Sequence, residues 1–384
     1  MENRIEHPVL KPLHHNQRTK VREFAEQVIK PIAAELDLKA KFSKSLIKKM
    51  GEFGLLGITL PKEYGGNDLD FLSYIISIEE LARVDSSQAA TLAAHNSLGI
   101  EPIYQWGTTE QKNTYLPRLT SGDHLWAFGL TEPNAGSDAM GVGTHAVFKN
   151  EHWLLNGVKQ FITNATSEIS LGVTVLAVVD EINGKKKFTT FLVDRAESQY
   201  KTEELKNKLV WHAVDNGKLY FEDTKVAAKN MLGNHGEGAK ITLKTLDSGR
   251  LSIAAVGLGL AQGVFEMASD YARKRVQFGQ PIVKNQAIAF KLADMATKIT
   301  LARNMLYNVC WQKQNNLTYT KEAAMIKLYC SEVAKEVADE AVQVHGAYGL
   351  YHEYGVERFY RDQRILQIGE GTSEILRLLI SKKL

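Results

Sequence analysis

One carboxylate near the end of the chain has the surroundings of a group that could move a proton. Glu370 stands between Gly369 and Gly371, and the spacing of the apolar residues that follow predicts a helix, with Thr372 as a favourable N-cap. Because glycines carry no side chain, a flat ligand can approach the backbone closely here. For Glu370 alone, an ordinary surface glutamate beside a helix start is the alternative interpretation, so the rest of the sequence must decide.

Two further stretches carry short hydrogen-bond donors suited to a polar, ring-shaped ligand. Residues 128–138, Phe-Gly-Leu-Thr-Glu-Pro-Asn-Ala-Gly-Ser-Asp, predict a strand that ends in a loop with exposed backbone N–H groups and hydroxyls. In residues 161–164, Phe161 can cover one face of a ring while Thr163 donates to a ring nitrogen. Taken singly, the first stretch is equally well a decorated turn. The second is weak evidence, since strands carry aromatic residues anyway.

Two stretches in the last third of the chain could bind a phosphate or could simply end a helix. Arg275 stands at a predicted helix end and is followed by Phe278 and later by Gln286, and such a basic and aromatic group can bind a pyrophosphate. An equally good interpretation is that Arg275 complements the negative end of the helix dipole. In residues 343–349, Gln-Val-His-Gly-Ala-Tyr-Gly, the glycines predict the end of a long helix, and capping alone would explain them.

Several common kinds of site are excluded by residue spacing. The glycines of residues 257–263 lie inside a predicted helix with no strand before them, so they are predicted to be helix-packing glycines rather than a dinucleotide loop. No Walker loop, Gly-x-Ser-x-Gly, His-Glu-x-x-His or paired Cys-x-x-Cys occurs, and no metal site is predicted. His95, His212 and His345 stand on separate segments and are predicted to be packed or hydrogen-bonded.

The composition indicates a soluble, globular protein. The chain has 384 residues, of which 44% are hydrophobic and 24% charged, and this length allows two or three domains. A formal net charge of +3 does not indicate nucleic acid or an anionic membrane as the main partner. Cys310 and Cys330 stand in apolar helical stretches and are predicted to be buried thiols, with a disulfide as the less favoured alternative. The acidic, polar start is unlike a signal peptide and no apolar run approaches a membrane span, so we expect a cytoplasmic protein.

The elements that must hold these residues fall into three regions. Residues 1–125 predict a helical domain, residues 126–235 a central antiparallel β domain, and residues 236–384 a second helical domain. Asn-Gly pairs, which are the strongest short hairpin signal, stand at 156–157, 183–184 and 216–217 and are predicted to join strands. Helices, then a sheet, then helices make an α+β fold class.

Together and in this order, these stretches resemble the acyl-CoA dehydrogenase family, and its short- and medium-chain members in particular. The family pattern Leu-Thr-Glu-Pro-x-x-Gly-Ser-Asp stands at 130–138, Arg-x-x-Phe-Gly at 275–279 and Glu-Gly-Thr-Ser-Glu at 370–374. The resemblance covers essentially the whole chain. It implies an N-terminal helical domain, a central β domain and a C-terminal four-helix bundle that bind FAD, usually in a homotetramer built as a dimer of dimers.

Position by position, the resemblance implies a role for each candidate residue. The flavin or CoA pocket would be lined by Phe128, Leu130, Thr131 and Ser137, and the isoalloxazine ring would meet Phe161 and Thr163. The FAD diphosphate and adenosine would meet Arg275, Phe278 and Gln286, and the FAD of a neighbouring subunit would meet Gln343, Gly346 and Ala347. Thr372 and Glu374 would close on the cofactor, and the substrate would contact Ser137, Asp247, Arg250 and Gly371.

The resemblance also implies a reaction, the FAD-dependent α,β-dehydrogenation of an acyl-CoA thioester to the trans-2-enoyl-CoA. Glu370 would remove the α proton, the β hydride would pass to flavin N5, and an electron-transfer flavoprotein would reoxidise the flavin. Some relatives carry the base one residue before the arginine that matches Arg250, but Gly249 stands there in this chain. Burial is expected to raise the pKa of Glu370, since an unperturbed glutamate is a poor base.

Three departures from the family pattern bear on the substrate. Phe161 stands where relatives often have Trp, and Gly369 stands where they often have an aromatic residue, which predicts a wider acyl pocket. The stretch 210–216, Val-Trp-His-Ala-Val-Asp-Asn, replaces a stretch usually rich in glycine and hydroxyl groups, and it bears on CoA affinity or acceptor preference. No Lys or Arg occurs between Ser86 and Gly99, which argues against a dicarboxylic substrate. Short or medium acyl groups, straight or branched, are expected.

Other activities of the same fold stay open as alternatives. One is an acyl-CoA oxidase, and another is a dehydrogenase that acts on an acyl-carrier-protein thioester. A non-catalytic, DNA-binding flavoprotein would need an added basic domain, and this chain ends with only Lys382 and Lys383 as a basic pair. A flavin monooxygenase would lack the base, so Glu370 argues against it.

Overall fold

The N-terminal region is helical in the computed structural model, which describes residues 7–384. Its α-helices are α1 (Pro12–Phe24), α2 (Lys30–Leu38), α3 (Lys44–Glu52), α4 (Phe71–Ala82), α5 (Ser86–Ala93), α6 (Glu101–Trp106) and α7 (Thr109–Thr120). A π-helical segment, Ala94–Ile100, joins α5 to α6, and another, Ala25–Ile29, joins α1 to α2. Asp70 and Asp85 cap α4 and α5 by accepting backbone N–H bonds. α4 is apolar on most sides because it packs between α1 and a long C-terminal helix.

The central region is a mixed sheet in which most strand pairs are antiparallel. Its strands are β1 (Leu125–Gly129), β2 (His145–Lys149), β3 (His152–Thr163), β4 (Ser170–Ile182), β5 (Lys185–Asp194), β6 (Lys201–Glu204), β7 (Asn216–Ala227) and β8 (Met231–Leu232), and a short helix α8 (Arg195–Ser198) follows β5. The strand order is β6-β7-β3-β2-β4-β5-β8. β1 lies beside β4 in parallel, and β2 touches β4 in parallel at one residue pair.

The three Asn-Gly pairs occupy different positions, and the hairpin prediction is wrong for two of them. Asn183-Gly184 forms the β4–β5 turn, with both residues left-handed at φ +50° and +72°. Asn156-Gly157 lies within β3, where the pairing register with β7 shifts, and Asn216-Gly217 begins β7. The turn between β2 and β3 is made instead by Asn150 and Glu151, at φ +50° and +64°.

The C-terminal region is a helical bundle built around one long helix. Its helices are α9 (Gly238–Lys274), α10 (Gln286–Gln314), α11 (Thr320–His345), α12 (Val356–Asp362) and α13 (Ser373–Ser381), and the strands β9 (Val276–Gln277) and β10 (Gln280–Pro281) form a hairpin between α9 and α10. α11 packs against α9, α10 and α13, while α4 packs on another side of α9. The predicted α+β arrangement of a helical domain, a central β domain and a helical bundle is therefore confirmed. The predicted domain limits at residues 125 and 235 stay predictions.

The core around α9 explains several small residues. A Cβ at Gly257 would lie 3.1 Å from the carbonyl oxygen of Cys330 on α11, and a Cβ at Gly259 or Gly263 would collide with backbone carbonyls at the end of α4. These are the helix-packing glycines that the sequence predicted. By length and composition α9 could cross a membrane, but 78% of its most apolar stretch is buried inside the protein, as in the core helix of a soluble protein. Cys310 and Cys330 are buried free thiols, as predicted.

Candidate active site

Glu370 occupies a recess that only a glycine leaves open. The residue is half-buried, but its Oε2 atom is inaccessible to solvent and has no hydrogen-bond partner. Gly249, in the middle of α9, faces this oxygen so closely that a Cβ there would lie 2.6 Å from it. Leu98, from the π-helical segment Ala94–Ile100, lies 3.0 Å from the same Cβ position. The carboxylate therefore sits against α9 and the N-terminal helices, with one oxygen unsatisfied.

The backbone that carries Glu370 is left-handed at two successive residues. Glu370 has φ +56° and Gly371 has φ +100°, and the second of these angles requires a glycine. Thr372 then caps α13 as predicted, because its hydroxyl accepts the N–H of Ile375 at 3.2 Å. The left-handed conformation of Glu370 is uncommon for a residue with a side chain, and such residues concentrate at functional sites.

Burial brings the pKa of Glu370 close to neutral pH. Loss of solvent raises the pKa of its carboxyl from 4.5 to about 7, although the charges of Arg250 and Lys327 act in the opposite direction. Lys327, on α11, is fully buried, and burial lowers the pKa of its ammonium to about 8. Its Nζ donates to the carbonyl of Gly371 at 2.6 Å. The recess thus holds one carboxyl and two cations.

Two predicted substrate residues lie beside this recess but are already paired. Arg250 Nη1 donates to Asp247 Oδ1 at 2.7 Å, and Thr320 donates to Asp247 Oδ2 at 2.7 Å. Both Asp247 and Arg250 are buried, and the Nε of Arg250 has no hydrogen-bond partner. Arg250 can therefore turn an unused donor toward a ligand, whereas a new contact to Asp247 must replace an existing bond. Their predicted contacts with the substrate stay predictions.

The β domain brings the predicted flavin residues together. Gln160 donates its backbone N–H to the carbonyl of Thr131 at 2.8 Å, which holds the loop after β1 against the end of β3. Lys159 is fully buried and donates to the carbonyl of Leu130 at 3.1 Å. These bonds place Leu130 and Thr131 next to Phe161, which stands beside Gln160.

This group is connected to the recess through α5. Asn164, directly after Thr163, donates its side-chain N–H to the carbonyl of Thr91 on α5 at 3.1 Å. Leu98, which borders Glu370, follows Thr91 by seven residues, or about 10 Å of helix. Phe161 and Thr163, at the end of β3, are thereby linked to the helical segment that borders Glu370, and their predicted flavin contacts stay predictions.

The exposed groups of the β domain suit a flat aromatic ligand. Phe161 exposes 61% of its surface and has φ +61°, so one face of its ring is available. Thr131 and Thr163 are half-buried and can offer hydroxyls, and Ser137 is exposed. Phe128 is buried in β1, so it offers little surface to a ligand. These residues fit a flavin ring with hydrogen-bonding edges.

The remaining predicted cofactor residues lie away from Glu370, around the ends of α9 and α11. Arg275 follows the last residue of α9 and lies over the ring of Tyr348 at 5.4 Å, which joins it to the end of α11. The exposed residues of this group are Phe278, Gln286, Gln343, Gly346 and Ala347, with Phe278 98% exposed. Arg275 follows Gly249 by 26 residues of α9, or about 39 Å at 1.5 Å per residue. Within one chain, the structure does not bring this group to Glu370, and one cofactor cannot span both.

Two predicted cofactor residues, Thr372 and Glu374, follow Glu370 closely at the start of α13. The hydroxyl of Thr372 is engaged in capping α13, and Glu374 is exposed in the first turn of that helix. A backbone hydrogen bond and the Thr372 side chain lower the pKa of Glu374, so it is an ionised surface group. Their predicted cofactor contacts stay predictions.

The unusual stretch 210–216 lies between the domains. Trp211 donates its backbone N–H to Asp362 at 2.7 Å, and His212 donates to the carbonyl of Asp37 at 3.2 Å. Arg361 binds the carboxylate of Asp37 at 2.5 Å. The stretch therefore joins the N-terminal helices to α12. His95 and His345 likewise donate to backbone carbonyls, as predicted.

Two features of the site were missed by sequence reasoning. A surface depression of about 430 Å³ at the start of α9 is lined by Ile182, Asn183, Lys185, Lys186, Lys187, Phe188, Gly236 and Ala239. Its signal was three successive lysines after a hairpin turn. Lys327 is the second feature that was missed. Its sequence signal was its position, four residues after Ala323 and three before Cys330, which places it on the buried face of α11.

Comparisons with known proteins agree across the whole chain. Three family models match, described as the acyl-CoA dehydrogenase N-terminal, middle and C-terminal domains, over residues 11–123, 127–224 and 236–384. A relative from Clostridium acetobutylicum, the short-chain specific acyl-CoA dehydrogenase, is 43% identical over 367 residues, which are 96% of each chain. Butyryl-CoA dehydrogenase from Megasphaera elsdenii is 39% identical with a TM-score of 0.94 and covers 100% of this chain and 99% of its own.

Two further solved structures bear on the cofactor and the electron partner. One comes from work on the electron transferring flavoprotein of Acidaminococcus fermentans, and its chain is 40% identical with a TM-score of 0.94 over 100% of this chain and 99% of that one. The other is an acyl-CoA dehydrogenase from Bacillus anthracis complexed with FAD, 34% identical with a TM-score of 0.90 over 98% of this chain and 67% of that one. With its three matched domains and these relatives, the chain belongs to the acyl-CoA dehydrogenase family.

Proposed function

We propose that this protein oxidises a short acyl-CoA thioester to the trans-2-enoyl-CoA, with Glu370 as the general base. The observation that carries the proposal is the buried, unpartnered Oε2 of Glu370, whose pKa is raised by burial to about 7. A carboxylate with this pKa is present at neutral pH and can accept a proton with a useful driving force. A surface glutamate, with a pKa of about 4.3, would be ionised at neutral pH but would be a much weaker base.

The protein groups of the recess suit removal of a proton from the carbon next to a thioester carbonyl. Bound FAD supplies the hydride acceptor for the neighbouring carbon. Glu370 takes the α proton, and the glycines on either side of it let the backbone approach the thioester. The backbone N–H of Glu370 is a donor for the thioester oxygen, which gains negative charge as the proton leaves. The residues proposed to hold the flavin ring are Leu130, Thr131, Phe161 and Thr163.

The lysine-lined depression is a place for the charged end of CoA. It borders Ala239, and Gly249 lies ten residues farther along α9, or about 15 Å. This separation suits an extended pantetheine arm between a nucleotide and a thioester. Lys185 and Lys187 are exposed there, and lysines bind phosphate groups as point charges.

The acyl end favours short groups, straight or branched. A Cβ at Gly369 would have its nearest neighbour, the carbonyl oxygen of Ile365, at 3.6 Å, so a small side chain would fit there and the glycine leaves that volume to the ligand. α5 carries no Lys or Arg that could pair with a distal carboxylate of the substrate. A short-chain relative and a butyryl-CoA relative support the same substrate class.

The exposed second group of residues supports assembly into a homotetramer, a dimer of dimers. Arg275 lies about 39 Å along α9 from Gly249, and Phe278 follows it in the β9–β10 hairpin, so they are better placed to reach the FAD of a neighbouring subunit than their own. We propose an electron-transfer flavoprotein as the electron acceptor, supported by the relative from Acidaminococcus fermentans. Slow reoxidation of the reduced flavin by air would distinguish this dehydrogenase from an oxidase.

Glu370→Gln tests the assignment of the base. The variant keeps the size of the side chain but cannot accept the proton, so it should fold and retain FAD while flavin reduction by butyryl-CoA falls by at least about 1,000-fold. Anaerobic stopped-flow absorbance measures this step. Glu353→Gln, an exposed site in the same region, is the matched control and should reduce its flavin at the wild-type rate. Near-normal reduction in Glu370→Gln would refute the proposal.

A further inference from the structure

α11 holds the chain on both sides of Glu370. Ser331 donates to the carbonyl of Leu366 at 2.9 Å, four residues before the base. One helical turn earlier on α11, Lys327 donates to the carbonyl of Gly371, the residue after the base, at 2.6 Å. The loop is therefore fixed by two contacts from one rigid helix, and one of the two donors is charged.

A buried lysine at this position is costly unless its charge is used. Lys327 is 0% exposed, and an ammonium loses several kcal/mol of hydration on full burial unless it is paired. Its donor bond goes to a neutral carbonyl, so the compensating charge must come from the surroundings. A methionine would fill nearly the same volume without this cost, which argues that the charge itself has a role.

The charged and titratable groups around Lys327 come from three helices and the loop. Glu370 on the loop and Glu332 on α11 attract the ammonium, whereas Arg250 on α9 repels it. Arg250 is itself paired with Asp247, so much of its positive charge is already balanced. On α4, burial, with a small contribution from the charge of Glu370, raises the pKa of Tyr74, whose hydroxyl stays protonated. Lys327 is thus the cation that contacts the base loop and has no carboxylate bonded to it.

The backbone at the contact is the part of the loop most in need of support. Glu370 is left-handed at φ +56°, a conformation that side chains disfavour, and it directs the carboxylate into the recess beside Gly249. The bond from Lys327 to the carbonyl of Gly371 fixes the Gly371–Thr372 peptide unit, directly after Glu370. Without that bond, Glu370 can relax to a more common conformation and leave the recess.

We propose that Lys327 is a positioning residue for the general base, which holds the Gly371 carbonyl so that Glu370 stays in its recess and which favours the ionised form of Glu370. The inference rests on the proposed role of Glu370. It adds a residue that does not touch the substrate but controls both the place and the charge of the base.

Lys327→Met tests both parts in the full-length, FAD-loaded enzyme. Without the ammonium, the pKa of Glu370 should rise further, so the ascending limb of kcat/KM against pH should move up by about one pH unit. With the loop released, kcat for butyryl-CoA should fall by about 10- to 100-fold while KM changes by less than about threefold. FAD content and melting temperature show whether the fold is intact.

Two matched variants separate the charge from the contact. Lys335→Met removes the same charge from an exposed position of α11 and should leave kcat and the pH profile unchanged. Ser331→Ala removes the neighbouring contact to the loop without changing any charge. It should lower kcat while the ascending limb stays at the wild-type pH.

The outcomes distinguish this inference from the proposed function. Wild-type kcat and an unmoved limb in Lys327→Met, with Glu370→Gln inactive, would overturn the inference and leave the base assignment standing. An active Glu370→Gln would overturn both. A lower kcat in Lys327→Met without the pH shift would overturn the electrostatic part. If Lys327→Met and Lys327→Gln both failed to fold or to retain FAD, Lys327 would belong to the fold, and the inference would also fall.

Discussion

Gly249→Ala should separate catalysis from folding more clearly than any other substitution near the base. The added Cβ would lie 2.6 Å from Glu370 Oε2 and 3.0 Å from Leu98 Cδ2. Ordinary contacts begin at 3.4 Å, so the carboxylate oxygen must move by about 0.8 Å, the difference between 3.4 and 2.6 Å. The displaced atom is the end of a flexible side chain, which can move without disturbing the helix.

The substitution should affect stability and reaction rate in opposite directions. Alanine is favoured over glycine inside a helix by about 1 kcal/mol, so the melting temperature should stay level or rise. A misplacement near 1 Å of a catalytic group costs about 100-fold in rate, which corresponds to about 2.7 kcal/mol in the activation barrier. Gly249→Ala should therefore be a stable protein with a slow chemical step.

Anaerobic stopped-flow reduction of the flavin by butyryl-CoA measures the rate, and calorimetry measures the stability. Gly259→Ala is the matched control, since its Cβ would collide with the backbone carbonyl of Glu79 rather than with a side chain. That variant should lose stability and keep the wild-type rate for each folded, FAD-loaded molecule. A wild-type reduction rate in Gly249→Ala would refute the recess as the working position of Glu370.

Three other predictions follow from the same site. The value of kcat/KM for butyryl-CoA should fall about tenfold per pH unit below about pH 7, because Glu370 with a pKa of about 7 becomes protonated there, and a flat profile between pH 5.5 and 8 would contradict this. Gly369→Phe should fold, because a Cβ there would make only ordinary van der Waals contacts, but it should lower kcat/KM for isovaleryl-CoA at least about tenfold relative to butyryl-CoA. Equal losses for the two substrates would argue against a wide pocket at this position. Replacing Lys185 and Lys187 together by Gln should raise KM for butyryl-CoA about tenfold and leave KM for butyryl-pantetheine unchanged, because only CoA carries the phosphates. An equal rise in KM for both thioesters would show that the depression does not bind the phosphates of CoA.

The sequence was most informative where chemistry is local. The glycines around Glu370 and the cap at Thr372 predicted a loop before a helix, and α13 begins as predicted. The recess could not be predicted in this way, because its wall is Gly249, 121 residues earlier in the chain. From the sequence, that glycine indicated only the lack of a second carboxylate. Its importance comes from the packing of α9 against the loop.

The Asn-Gly pairs show the limit of a local signal. Such a pair supplies left-handed backbone, which serves a two-residue turn or a bulge equally well. At Asn183-Gly184 the flanking residues pair with each other, so a hairpin forms. At Asn156-Gly157 the strand continues because β7 supplies Phe221, 64 residues after Gly157, as its partner, and that pairing is not visible locally.

For the charged residues Arg275 and Lys327, the sequence could not predict what each side chain lies near. Arg275 was predictable as a residue at a helix end, but the helical pattern did not give its distance from the base. Lys327 was not predicted because a lysine on an apolar face is usually read as a solvated residue. Only the packing of α11 against the loop shows that its ammonium meets a carbonyl beside Glu370.

The uninterrupted course of α9 has a consequence for insertions and deletions. One helix borders the lysine depression at its start, faces Glu370 at its middle and ends at Arg275. Each residue added to a helix turns everything beyond it by about 100° and advances it by about 1.5 Å. An extra residue between Ala239 and Gly249 would therefore place a side chain where the carboxylate needs a gap, and it would change the reach between nucleotide and thioester. If the depression binds CoA as proposed, the number of residues between Ala239 and Gly249 must match the span from nucleotide to thioester.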